Sequence, residues 1–349
     1  MASTAGLPNF VDWARVLNPN GVIEEIAWLL SQNNEMYMDQ ISQMGNLPLG
    51  HKVSVQAGIP QGTYRMANQG VAPTKGIYEQ YQFEMSELVE YSCVDKSILT
   101  LKGQREEYLW TQTQAAAMGM GQQQASTILY GNSAINPTQF AGFMSFYNTL
   151  NTSIATSKNV LSGGGSGSAN ASILLACWGN DIIYDIFPEG STVGLQIEDK
   201  GDIRAIYDSN GNPFEGNTTY LVWKLGLAIQ DWRYCARIAN IDTTTAGIAG
   251  PTPPSLFDLM NDAVMLMPSL TRRASGIDRT DSPQNAQPGV KPAFYCNRTI
   301  RGAMNKQILR DKNVLIEPKE FDGIVADSYR GVPIRNMDQL LNTEATITT

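Results

Sequence analysis

The sequence predicts an α+β chain, on three observations: one long amphipathic helix at residues 104–130, a strand pair with a wide tip at 47–94, and a second alternating pair at 220–241. At 100° per residue, Leu109, Trp110, Thr113, Ala116, Ala117, Met120 and Ile128 fall on one arc of the helix, with Arg105, Tyr108, Gln112, Gln122, Gln123 and Ser126 opposite. Glu106 and Glu107 occupy the first turn, where the helix dipole favours carboxylates, and Gly131 follows as a C-terminal cap. About 27 residues at ~1.5 Å each make a rod of about 40 Å, longer than most globular helices. Inside it Gly119 and Gly121 each cost about 1 kcal/mol relative to alanine, which marks a softened midpoint, a candidate hinge.

Taken in order, residues 1–45 read as an arm. A turn cluster, Asn18-Pro19-Asn20-Gly21, precedes a short, strongly apolar helix with Ile26, Trp28, Leu29 and Leu30, which needs a partner surface. Lys52-Val53-Ser54-Val55 then alternates as a strand, residues 58–73 form a tip rich in Gly, Pro and Asn, and Tyr81, Phe83 and Met85 alternate with Gln82 and Glu84. A two-stranded ribbon is marginal alone in water, so this hairpin is expected to lie on another surface, such as a neighbouring chain.

After the long helix, residues 132–170 read as polar and irregular, ending in Leu161-Ser-Gly-Gly-Gly-Ser-Gly-Ser168. No G-K-[ST] and no G-x-G-x-x-G register accompanies these glycines, so a flexible surface loop is expected rather than a phosphate cradle. Residues 172–178 read as a buried strand, 187–190 as a turn, and 220–229 with 232–241 as two strands about a tight Gln230-Asp231 turn. Helices are expected at 256–267 and 297–309, and a strand from Gly331 to Arg335.

Composition narrows the function. The 349 residues are 42% hydrophobic and 17% charged, ordinary for a folded chain, and carry a net charge of −8. No stretch approaches the 18 apolar residues a membrane span needs, and the first ten residues lack the basic and apolar regions of a secretory signal. Cys93, Cys177, Cys235 and Cys296 are isolated and the single histidine is His51, so no metal-ligand spacing and no cofactor motif is present. His51 sits beside a strand with no G-x-S-x-G elbow in the chain, and Glu106-Glu107 and Glu198-Asp199 are adjacent pairs that point apart on regular elements. These point away from an enzyme, a carboxylate-based hydrolase included. Trp223, Trp232 and Tyr234 beside Arg233 and Arg237 have the composition of a base-stacking platform, but their alternation is that of a core hairpin. What remains is a subunit that completes itself on its neighbours: an apolar arm, a projecting hairpin and a spine helix.

Ordered pieces of the chain resemble the major capsid proteins of short-tailed phages of the epsilon fifteen and Bordetella phage group. They include Leu49-Gly50-His51-Lys52, Gly58-Ile59-Pro60, Tyr64-Arg65, Asn68-Gln69-Gly70-Val71 and Val94-Asp95-Lys96. Further on come Phe187-Pro188-Glu189-Gly190-Ser191, Trp223-Lys224-Leu225-Gly226-Leu227, Asp231-Trp232-Arg233-Tyr234, Gly331-Val332-Pro333-Ile334-Arg335 and Leu340-Leu341-Asn342-Thr343-Glu344-Ala345. That resemblance implies the Hong Kong 97 phage capsid fold with permuted connectivity: an N-arm at 1–45, an E-loop at 46–94, a P-domain at 95–131 and 222–245, and an A-domain at 132–221 and 246–349. It implies a structural shell protein without catalytic, cofactor or metal sites, assembling as hexamers and pentamers into an icosahedral head around double-stranded DNA. The inter-subunit contacts it implies are Trp28, Leu29 and Leu30 of the arm and Ile59, Pro60, Tyr64, Arg65 and Asn68 of the E-loop. Its implied partners are further copies of itself, a portal protein at one vertex, a cement or decoration protein, a scaffolding protein, and DNA held without sequence-specific contacts, with no membrane. The place implied is the virion capsid, assembled in the bacterial host cytoplasm. The alternative within the same fold is an encapsulin-like nanocompartment. An acidic shell suits a head filled by a motor, since the shell need not recruit the genome by a basic arm.

Overall fold

A computed structural model of the chain describes residues 34–100, 105–207, 211–244, 248, 254–268, 290–310, 317–321 and 324–349. In chain order its first half holds α1 (Met36–Asp39), β1 (Ser42–Met44), β2 (Gly50–Gly58), β3 (Ile77–Asp95), α2 (Lys96–Leu99), the spine helix α3 (Arg105–Tyr130) and α4 (Phe143–Phe146). There follow β4 (Val160–Ser162), β5 (Asn170–Trp178), β6 (Ile183–Phe187), β7 (Leu195–Tyr207), β8 (Pro213–Ile229) and β9 (Cys235–Asp242). The last part holds α5 (Leu256–Leu266), β10 (Lys291–Cys296), α6 (Arg298–Arg310), β11 (Glu317–Phe321), β12 (Ile324–Tyr329) and β13 (Val332–Asn336).

Two sheets carry the fold. The first runs β1-β6-β8-β3-β2, with β7 also on β8. β8 is its organising strand: one edge takes β3 antiparallel from Met85↔Gly226 to Asp95↔Gly216, and the other takes β6 and then β7 in tandem. Gly226 is required here, because a Cβ would strike the carbonyl oxygen of Glu84 and, at 2.9 Å, Cγ1 of Ile186. The second sheet runs β11-β12-β13-β10-β5-β9-β4. All nine residues of β5 are buried, as are seven of the eight in β9, so this sheet is covered on both faces. α5 supplies one cover through Leu256, Phe257, Met260 and Ala263, which fall on one helical face, and Ser255 caps it by accepting from the Asp258 N–H. Asn297 caps α6 in the same way, its Oδ1 accepting from the Ile300 N–H at 2.9 Å.

The ribbon of β2 and β3, the buried strand at β5, the turn at 187–190 and the two late helices lie where the sequence places them. Pairing about Gln230-Asp231 does not occur: β8 and β9 belong to different sheets, and the chain crosses between them through a single turn at Trp232–Tyr234 that the Asp231 carboxylate caps. Strands buried on both faces need partners on both edges, and β8 finds them in β3 and β6/β7, β9 in β4 and β5. So β8 precedes α5 and α6 in the first sheet, as the resemblance implies for the P-domain strands, while β9 does not accompany it.

The helix phase also differs. Trp110 is 61% exposed, whereas Tyr108, assigned to the polar arc, is buried against Val94, Ile98 and Leu99. Between residues 112 and 126 the helix is mostly Ala, Gly and Gln, so no strong apolar stripe fixes its roll and the contacts at its ends do. Gln104 lies outside the described residues. Residues 132–170 are less irregular than their composition suggests: Phe140, Phe143, Met144 and Tyr147 enter the core. The glycine stretch is not free either. Gly163 and Gly165 donate their N–H groups to the carbonyls of Ala239 and Asn240, both at 2.7 Å, and carry β4 along the edge of β9.

Candidate assembly surfaces

The hairpin is anchored at its root and open at its end. Phe83 and Val53 are buried, and the Phe83 ring meets Phe146 edge-on with centroids 6.3 Å apart. His51 completes the anchor. Tyr184 donates its hydroxyl hydrogen to Gln230 Oε1 at 3.2 Å, which leaves its oxygen to accept from His51 Nε2–H at 2.9 Å. Burial pushes the imidazole pKa down, which favours neutral His51 as a pin at the root, and its Nδ1 has no partner among the described residues.

Beyond Gly58 the ribbon leaves the subunit. Every residue from 59 to 75 is exposed, with Ile59 78%, Tyr64 103% and Met66 79% open to solvent. The tip is ordered locally. Asn68, at φ 64°, takes the left-handed third position of a turn closed by Gln69 N–H to Met66 C=O at 3.3 Å. The Arg65 guanidinium donates to the Gln69 carbonyl at 3.1 Å, so part of its hydrogen-bonding capacity holds the turn. The structure thus brings Ile59, Pro60, Tyr64, Arg65 and Asn68 together on one projecting end. Trp28, Leu29 and Leu30 lie outside the described residues.

Gly119 and Gly121 sit mid-way along the spine helix, where a Cβ on either would meet nothing within 4 Å. Close packing among the described residues therefore does not demand glycine at these positions. Tyr37, from the root of the arm, reaches this point: its hydroxyl donates to the Gly121 carbonyl at 2.7 Å and its ring lies 5.6 Å from that of Trp223. No hydrogen bond among the described residues joins the glycines to the hairpin tip.

Two buried ion-pair networks join distant segments, and the sequence reading missed both. Arg237 and Glu344 pair at 2.8 Å, with Tyr130 and Ser172 donating to the same carboxylate. Arg335 and Asp39 pair at 3.2 Å; Tyr295 donates to Asp39 at 2.8 Å and itself accepts from the Trp178 indole at 2.9 Å. The only local signal for Arg237 and Arg335 is a charge inside an otherwise apolar strand.

A cleft of about 420 Å³ between Leu49, Glu84, Met85, Ser133, Ala134 and Pro137 presents one carboxylate and no facing base. Among the described residues no group of three His, Cys, Asp or Glu side chains is placed to hold a metal ion. None of the described helices is long and apolar enough to cross a membrane.

Comparison with known proteins covers nearly the whole chain. A structure of bacteriophage Epsilon15, derived from electron cryomicroscopy and modelling, contains a chain that is 28% identical, with 98% of each chain covered and a TM-score of 0.75. The capsid of bacteriophage JBD30 matches at 8% identity over 93% of this chain and 99% of that one, TM-score 0.49. The SrpI encapsulin of Synechococcus elongatus matches at 9% identity over 67% and 96%, TM-score 0.44. No curated protein matches the sequence. The Epsilon15 likeness bears out the Hong Kong 97-type α+β phage capsid fold. The model of the major capsid protein GP7 family matches residues 18–348. With two sheets, a spine helix, a projecting ribbon and a match over nearly its full length, the chain belongs to the GP7 family of major capsid proteins.

Proposed function

We propose that the chain builds an icosahedral phage head as hexamers and pentamers of itself, enclosing double-stranded DNA, with the ribbon tip as its principal reach onto a neighbour. The observation that carries this is the tip itself: residues 59–75 expose Ile59, Tyr64 and Met66 on a ribbon that no face among the described residues of its own subunit covers. Each such side chain is worth about 1.5–3 kcal/mol when buried, and a closed shell repeats the contact at every subunit, so modest interfaces sum to a stable particle.

In this reading residues 1–45 are the N-arm, 46–94 the E-loop, 95–131 and 222–245 the P-domain, and 132–221 with 246–349 the A-domain. Trp28, Leu29 and Leu30 seat the arm on a neighbour, while Gly119 and Gly121 soften the spine for expansion. A portal protein occupies one vertex, and cement and scaffolding proteins serve the outer and inner surfaces. The net charge of −8 supports a genome driven in by a motor and held without sequence-specific contacts. Assembly takes place in the bacterial cytoplasm and the protein resides in the virion.

Excising residues 61–75 and closing the gap with a short Gly-Ser link tests the reading. The variant is expected to fold with the parent's thermal midpoint and to form no shells. Shells formed as readily as by the parent would overturn the role of the tip.

A further inference from the structure

Asp185 is a carboxyl in the wrong place for a charge. It is the middle residue of β6, 1% exposed, and neither an ion pair nor a hydrogen bond reaches its carboxyl among the described residues. Its backbone is well held: β6 pairs with β1 in parallel, Asp185 opposite Ser42, and the Asp185 N–H donates to the Ile41 carbonyl at 2.8 Å. Across the sheet it pairs with Leu227 of β8, so its side chain shares a face with Leu225 and Trp223. That is the face on which Tyr37 lies, ring against Trp223 and hydroxyl on Gly121 of the spine helix.

Among the described residues nothing around it can neutralise a negative charge. From α1 comes Tyr37, a phenol whose own pKa is pushed upward by burial first and by Asp185 second. Also near α1, Glu35 accepts from the Asn336 N–H and Asp39 is taken up by Arg335. β1 has no charged residue, and the spine helix has none from Tyr108 to Tyr130. Lys224 of β8 points to the opposite face and pairs with Glu87 at 3.5 Å. Trp223 Nε1 and Gln124 Nε2, the latter one helical turn beyond Gly121, are also buried without a partner among the described residues. An isolated carboxylate here would pay the full cost of leaving water, so burial holds the acid in its neutral form and its pKa well above the usual carboxylate range.

We propose that Asp185 is a proton-binding site that couples pH to the seating of residues 34–45, the root of the arm, beneath the spine helix. Protonated, it is buried with Tyr37 and β1 closed over the sheet; ionised, it draws water in and unseats them. The sign follows from linkage. With the root open, the acid is hydrated and titrates near its ordinary value of about 4, whereas with the root closed it keeps its proton. Between those two values the opening constant rises up to about tenfold per pH unit. Seating is strongest in acid and weakens as pH rises. Because residues 34–45 continue the arm, a pH step would reach the shell's contacts without touching them.

Amide hydrogen exchange of the purified protein, from about pH 5 to about pH 8 and corrected for the intrinsic rate, reads this directly. Protection of the Ser42–Met44 and Asp185 amides is expected to fall with pH, up to about tenfold per unit, while that of Ile173–Trp178 in the second sheet stays level. Asp185→Asn is expected to flatten the first response. Where that variant does not fold, the infrared carbonyl band of a protonated carboxylic acid, sought in the parent at neutral pH, is the second arm. Its absence, or a pH-independent protection of Ser42–Met44 in the parent, would overturn the proposal.

Discussion

Arg237 Nη2 lies 2.8 Å from Glu344 Oε2, an ion pair between residues 107 positions apart with side chains only 5% and 6% exposed. Its other bonds make it a junction. Arg237 Nη1 donates to the Tyr147 carbonyl at 2.8 Å and Nε to Ser172 Oγ at 3.1 Å, while Tyr130, the last residue of the spine helix, donates to Glu344 Oε1 at 2.5 Å. The C-terminal segment, the second sheet and the end of the spine are therefore tied at one point. Removing one charge of a buried pair strands the other, at a cost of about 3–5 kcal/mol. Glu344→Ala and Arg237→Ala are each expected to lose that much in urea unfolding of the dissociated subunit. The double variant Arg237→Met with Glu344→Leu is expected to recover most of it. Additive losses in the cycle would show that the two side chains act separately.

Gly119 and Gly121 give the second expectation. Since a Cβ at either meets open space, Gly119→Ala with Gly121→Ala is expected to stabilise the subunit by about 1 kcal/mol per site. On the proposal that Gly119 and Gly121 soften the spine for expansion, a stiffer midpoint is expected to lower the fraction of particles that pass from round precursor to angular shell. Counting both forms by electron microscopy under conditions that convert the parent decides it. Unchanged conversion with raised stability would remove the hinge.

Much of the fold was legible because local pattern carries it. Val53, Phe83 and Met85 alternate as a ribbon should, residues 172–178 read as a buried strand, and the helices expected at 256–267 and 297–309 form there within a few residues. The failures are all matters of partner choice. Gln230-Asp231 has the length of a hairpin turn, but whether β9 folds back on β8 depends on β5, more than fifty residues earlier, and no local pattern encodes that pairing. Trp110 was placed inward on a helix whose small and amide side chains leave its roll to its neighbours, and Tyr108 found the pocket of Val94, Ile98 and Leu99 instead. Arg237, Glu344, Asp39 and Arg335 were invisible as a set because each meets its counterpart only after folding. The exposed tip was legible as composition, since Gly, Pro and Asn without apolar alternation predict a ribbon end that the subunit itself does not cover.

Trp28 yields a third expectation, on a residue outside the described part of the chain. Truncating a large aromatic at a packed contact costs about 3–5 kcal/mol, and Trp28→Ala is expected to show that loss in shell dissociation by denaturant. The unfolding of free capsomers is expected to stay at the parent's value. Equal losses in both would place Trp28 in its own subunit's core.

The cysteines give a fourth. Burial pushes the Cys296 thiol up to about 12 and those of Cys177 and Cys235 higher still, so all three are inert thiols at neutral pH, while Cys93 is half-buried beside Thr218. A thiol-reactive dye is expected to label Cys93 first in the folded protein and all four only after denaturation. Rapid labelling of Cys235 without unfolding would contradict the covered second sheet.

The central claim, a subunit that completes itself on its neighbours, is tested most directly by electron microscopy of the purified protein, expressed alone and concentrated. The account predicts hexamers, pentamers, closed shells or aberrant tubes, and with them protection of the ribbon-tip amides at residues 59–75 that is lost on dilution. A uniform monomer at high concentration, with those amides already fully protected, would contradict it.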